Sequence, residues 1–108
     1  MTTERRRSAR IEILNRIHGH VTAFDVFVTV RDISLGGMSV ETAFSFPEGV
    51  VHEFRLTMGD QPQAIIHGRV LRCREHTRSD GGRIYLSGIE FIDQVPPGIV
   101  AEMIEKIK

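Results

Sequence analysis

Tryptophan is absent from the 108 residues, and tyrosine and cysteine occur once each, as Tyr85 and Cys73. A barrel that binds single-stranded nucleic acid needs stacking aromatics on an exposed face, so this poverty argues against that class. The lone Cys73 excludes an intrachain disulfide; it fits a reducing compartment, and it would equally fit a cysteine-poor secreted chain. Net charge is missing too, because 14 Lys plus Arg balance 14 Asp plus Glu. A sequence-independent nucleic-acid binder carries a basic excess that displaces counterions from phosphates, and none is present. No apolar run approaches the roughly 20 residues of a membrane span. The opening Met-Thr-Thr-Glu-Arg-Arg-Arg leads into no apolar segment of the secretory kind. The expectation is a cytoplasmic domain with neither a membrane span nor a nucleic-acid partner.

What is present suits one compact domain. A chain of this length buries roughly two thirds of its unfolded surface around one core. Hydrophobic residues at 41% and charged residues at 26% are ordinary for a globular protein. Arg5, Arg6, Arg7, Arg10 and Arg16 crowd the beginning, which makes it electropositive on a neutral body and favours small anions as partners. Residues 1–9 read as an arm that stays flexible until something charged docks, because Met1 is the only apolar side chain before Ser8. Residues 10–108 read as the domain.

Alternation then points to strands. Arg10 to Ile17 fits either a strand or one helical face, and its branched isoleucines favour strand. Phe24, Val26, Val28 and Val30 alternate with Asp25, Phe27, Thr29 and Arg31, the period of a half-buried strand. Asp32-Ile33-Ser34-Leu35-Gly36-Gly37 interrupts as a turn, and Met38 to Thr42 resumes the alternation. Further strands are expected over Val51 to Met58, Ala64 to Arg74 and Arg83 to Ile92. In the last, Ile84 and Leu86 are out of phase with Ile89 and Phe91, which predicts a bulge near Gly88. Pro96 and Pro97 suit a helix entry, and Val100, Met103, Ile104 and Ile107 form an apolar stripe. The fold class is therefore all-β: a six-stranded antiparallel β-barrel with a C-terminal α-helix over about residues 96–107, covering one opening.

No catalytic set can be assembled. Ser34 has no motif that would bring it a histidine base. His18-Gly19-His20 reads as a turn, and His52, His67 and His76 are isolated, so all five histidines are expected to be solvated and no metal site is expected. Cys73 reads as a core or edge residue. The arginines are more informative, since a guanidinium fork suits phosphate oxygens, the O6/N7 edge of guanine and stacking on a base. Alone, an arginine run is a solvated tail. Asp32 can accept from guanine N1 and N2, Ser34 can donate to phosphate, and Gly36 and Gly37 allow close approach to backbone amides. Alone, Asp-x-Ser-x-x-Gly is a common hairpin turn.

Together, Arg6-Arg7-Ser8-Ala9-Arg10 and Asp32-Ile33-Ser34-Leu35-Gly36-Gly37 resemble the PilZ domain family, in which Arg-x-x-x-Arg and Asp/Asn-x-Ser-x-x-Gly build a cyclic di-GMP site. Arg5 matches the doubled arginine that often opens the first motif, and Gly88-Ile89-Glu90-Phe91 is similar to the family's late-strand signature. The resemblance implies a six-stranded barrel with a terminal helix. It implies that Arg6 and Arg10 grip phosphate and guanine with help from Arg5, that Asp32 reads a guanine edge, that Ser34 with Gly37 shapes the loop, and that Gly36 belongs to the ligand-binding set. It implies a non-enzymatic receptor with cyclic di-GMP as ligand, no other cofactor, and a protein partner in motility, pilus or exopolysaccharide machinery. The rivals are a PilZ-like adaptor that works without nucleotide and, from another class, a single-stranded nucleic-acid-binding barrel.

Overall fold

The computed structural model describes residues 11–12, 17–93 and 98–107; the expected arm, Arg5, Arg6, Arg10, Pro96 and Pro97 lie outside them. Seven strands precede one helix: β1 (Ile11–Glu12), β2 (His18–Val21), β3 (Val26–Ile33), β4 (Gly37–Thr42), β5 (Val51–Thr57), β6 (Ala64–Thr77), β7 (Arg83–Phe91) and α1 (Gly98–Ile107). The hydrogen-bonded order is β1-β3-β2-β5-β6-β7-β4, and β3 pairs with β4 to close the ring. Ile11 stands opposite Ile33 and His18 opposite Thr29, so β1 and β2 run along the same edge of β3 as one interrupted stave. The result is the expected six-stranded antiparallel barrel with a C-terminal helix. Beyond Arg69 the long strand β6 is paired only with β7, so the β6–β7 hairpin extends past the closed ring.

Inward side chains fill the barrel, as expected for so few strands. Val28, Val30, Ile33, Met38, Val40, Phe54, Leu56, Ile66, Val70 and Ile89 belong to one buried cluster. The two ends are stopped differently. Val100, Met103 and Ile104 of α1 join the core, and Glu102 and Glu105 border Gln61 of the β5–β6 turn, so the helix caps that end. At the other end Phe24, Phe44, Phe46 and His52 pack ring against ring, with centroids 5.1 to 6.2 Å apart.

Four local expectations change. The strand expected from Phe24 begins at Val26, because Asp25 takes φ +52° and its N–H donates to Thr22 O, making residues 22–25 a turn. Short polar side chains tolerate that left-handed conformation. His18-Gly19-His20 is strand β2 rather than a turn; a Cβ at Gly19 would lie 2.8 Å from Val28 Cγ2, so glycine lets β2 sit against the core. His52 is not solvated: it is 9% exposed among phenylalanines, its Nε2 has no hydrogen-bond partner, and burial lowers its pKa from 6.5. Finally, the bulge expected near Gly88 lies on the partner strand: β7 pairs continuously with β4 from Tyr85 to Glu90, while β6 carries the extra residue opposite Gly88 and Ile89. Ser87, Ile89 and Phe91 are the buried face, so Leu86 belongs to the outer one.

Candidate functional site

A strict two-residue period cannot put two residues three positions apart on the same side of a strand. Val30 and Ile33 nevertheless both face the core at 0% exposure. The register explains it: Val30 pairs with Val40 but Asp32 pairs with Ser39, so Arg31 is one residue too many. This bulge turns both Arg31 and Asp32 to the outside. β6 repeats the device, since buried Val70 and core-packed Cys73 are also three apart. Val70 pairs with Ile89 and Arg72 with Gly88, leaving Leu71 as the extra residue and sending Leu71, Arg72 and Arg74 outward.

The two bulges flank one surface. Asp32 stands opposite Ser39, Ser39 opposite Gly88, and Gly88 opposite Arg72, so a straight row crosses β3, β4, β7 and β6. At about 4.8 Å per strand the row is roughly 14 Å long. A carboxylate stands at one end, a guanidinium at the other, and two small residues lie between. The row forms the base of an open groove of about 560 Å³, which Arg31, Leu71, Arg74, His76, Leu86 and Ser87 also line. Arg31 is held from the side: its Nη1 donates to Glu41 Oε1 at 3.0 Å, and Arg78 Nη2 donates to the other oxygen of Glu41 at 3.2 Å. Phe27, 81% exposed on β3, lies outside this groove.

The expected motif residues separate by role. Asp32 lies on a strand rather than in the loop, because β3 continues to Ile33 and the turn shrinks to Ser34, Leu35 and Gly36. Ser34 is 6% exposed and its hydroxyl is used within the turn, donating to Gly37 O at 3.4 Å and accepting from Gly36 N–H at 3.3 Å. Its N–H donates to Gly37 O at 2.8 Å, so amide and hydroxyl both hold the turn. Gly37 is buried, and a Cβ there would sit 2.3 Å from Ile89 O; packing of β4 on β7 requires it, and it offers no exposed amide surface. Gly36 differs, being exposed with nothing within 4 Å of a Cβ.

Arg5, Arg6 and Arg10 fall outside the described residues, but their point of attachment does not. Ile11 pairs with Ile33 and Glu12 with Asp32, so the chain enters the barrel beside the turn and the acidic end of the row. Sequence reasoning missed Ser39, Leu71, Arg72 and Arg74. The signal for them was present as two broken alternations, Val30 to Ile33 and Val70 to Cys73.

Solved structures of similar fold include the PilZ domain with c-di-GMP of YcgR from Escherichia coli, at 20% identity and TM-score 0.69, covering 96% of this chain and 89% of that one. The Bacillus subtilis inhibitor of motility MotI/DgrA is similar at 17% identity and TM-score 0.75, covering 97% of this chain and 50% of that one. The K. pneumonia MrkH–c-di-GMP complex is similar at 18% identity and TM-score 0.72, covering 97% of this chain and 51% of that one. The chain thus spans about half the length of these last two. Among curated proteins, none matches it. These likenesses concern the fold, and the sequence supplies the rest: the family model described as the PilZ domain matches residues 4–106, from the arginine segment through the barrel into α1, and the chain belongs to that family.

Proposed function

We propose that this chain is a receptor for cyclic di-GMP, gripped between the arginines of residues 5–10 and the outer groove beside the Asp32 turn. PilZ domains are binding domains, and the similar YcgR and MrkH structures hold c-di-GMP. The observation that carries the reading is the β1–β3 register, which joins the arginine segment to the barrel directly opposite Asp32 and Ile33. Arg10 is one Cα step of about 3.8 Å from Ile11, and Arg6 is within about 18 Å of contour length, so the chain is long enough for both to contact a ligand at the acidic end of the groove. Arg6 and Arg10 supply bidentate forks to phosphate and guanine, and Arg5 assists. Asp32 accepts from a guanine edge. Ser34 and Gly37 hold the turn in shape, and Gly36 leaves its approach open.

Signalling follows if the ligand orders the arm across the barrel, creating a surface that a protein of motility, pilus or exopolysaccharide machinery reads. Titration calorimetry tests the reading. Cyclic di-GMP binds the wild type in preference to cyclic di-AMP, and Arg6→Ala or Arg10→Ala lowers affinity at least tenfold while the unfolding midpoint stays put. Wild-type affinity in both variants would refute the assignment.

A further inference from the structure

We propose that Arg72 and Arg74 form a second anion-holding wall of the groove, and that Gly88 is kept without a side chain so that the ligand can lie flat between that wall and Asp32. The inference rests on the cyclic di-GMP reading above and adds residues to it. Three observations carry it, beginning with charge. Among the seven described arginines, Arg31, Arg55, Arg69, Arg78 and Arg83 each have a carboxylate within 4.0 Å. Among the described residues Arg72 and Arg74 have none, and both line the groove. They are two residues apart on β6, about 7 Å, with their direction set by the Leu71 bulge.

The glycines supply the second observation. Gly19, Gly37 and Gly68 are required by packing, since a Cβ would come within 2.8 Å, 2.3 Å and 2.3 Å of a neighbour. Gly88 has no such reason: its φ is not positive, and a Cβ would meet only Arg72 Cγ at an ordinary 3.7 Å. A glycine inside a strand weakens it and accompanies either a bulge or the close approach of a ligand; Gly88 faces the β6 bulge, but the extra residue there is Leu71, so Gly88 itself is left for the second role. Thirdly, Leu71 is 56% exposed and lies with half-buried Leu86 on the same surface, an apolar face for a base beside the two guanidinium groups. The implied occupant is a purine dinucleotide with two phosphates, one half held from the arm and Asp32 and the other from β6.

The test is calorimetric titration of cyclic di-GMP at low and high salt into the wild type, an Arg72→Gln/Arg74→Gln double variant and Gly88→Val, with thermal unfolding of each. The double variant loses at least tenfold in affinity and shows a shallower salt dependence, and Gly88→Val loses at least tenfold with no fall in unfolding temperature. Gly88→Ala replaces the valine variant if that one fails to fold. Wild-type affinity in the double variant overturns the second wall while leaving the arm reading intact, and wild-type affinity with valine or alanine at position 88 overturns the flat floor. A wild type that does not bind cyclic di-GMP overturns this inference together with the reading it rests on.

Discussion

Gly36 and Gly37 are neighbours with opposite reasons for being glycine. A methyl group at Gly37 has no room against the Ile89 carbonyl, whereas one at Gly36 meets nothing. Gly37→Ala is therefore expected to cost about 1 to 3 kcal/mol of stability through overpacking. Gly36→Ala stays within about 0.5 kcal/mol in stability. Denaturant unfolding of the two variants checks both values. His52 provides a second test at this scale. Burial lowers its folded pKa below 6.5, so in the window beneath 6.5 the unfolded chain binds more protons than the folded one. Stability is fully present above that value and falls as the pH drops through it. Unfolding midpoints measured between pH 7.5 and about 5 should show this decline, and His52→Phe should flatten it.

At the scale of elements, plain alternation was legible wherever a strand buries one face without interruption, as in β5, where Phe54 and Leu56 are buried in turn; His52 on the same face is the exception, since a histidine was expected in solvent. Helix α1 was legible for the same reason at a helical period, through Val100, Met103 and Ile104. What alternation alone hid was the meaning of its own breaks. Ile84 and Leu86 looked like inward residues out of phase and suggested a bulge in β7, but Leu86 lies on the outer face of the groove. The bulges lie instead at Arg31 and Leu71, where apolar residues three apart both turn inward. Which arginines meet which carboxylates depends on strands far apart in sequence, so it could not be read from composition that Arg72 and Arg74 have no carboxylate partner among the described residues. The short strand β1 pairs directly beside Asp32, which is what the proposed link between residues 1–10 and the groove rests on. If ligand orders the arm, amide hydrogen exchange over residues 2–10 slows on saturation with cyclic di-GMP; unchanged exchange would remove the switching step.

As a whole, the molecule is a closed barrel stopped at one end by α1 and at the other by aromatic rings, with an interior filled by side chains. Among the described residues the interior is filled, so the dinucleotide of the proposed function is placed on the outer wall. The formal net charge of zero means that attraction to an anion comes from local arginines rather than a long-range field. Chemical-shift mapping of an isotope-labelled chain during titration with cyclic di-GMP tests the convergence of arm and groove on one ligand most directly. The amides of Asp32, Ser39, Gly88 and Arg72 should shift together with those of residues 5–10 along one saturation curve. No shifts at saturating ligand, or shifts confined to residues 22–25 and 43–50 at the aromatic end, would contradict it.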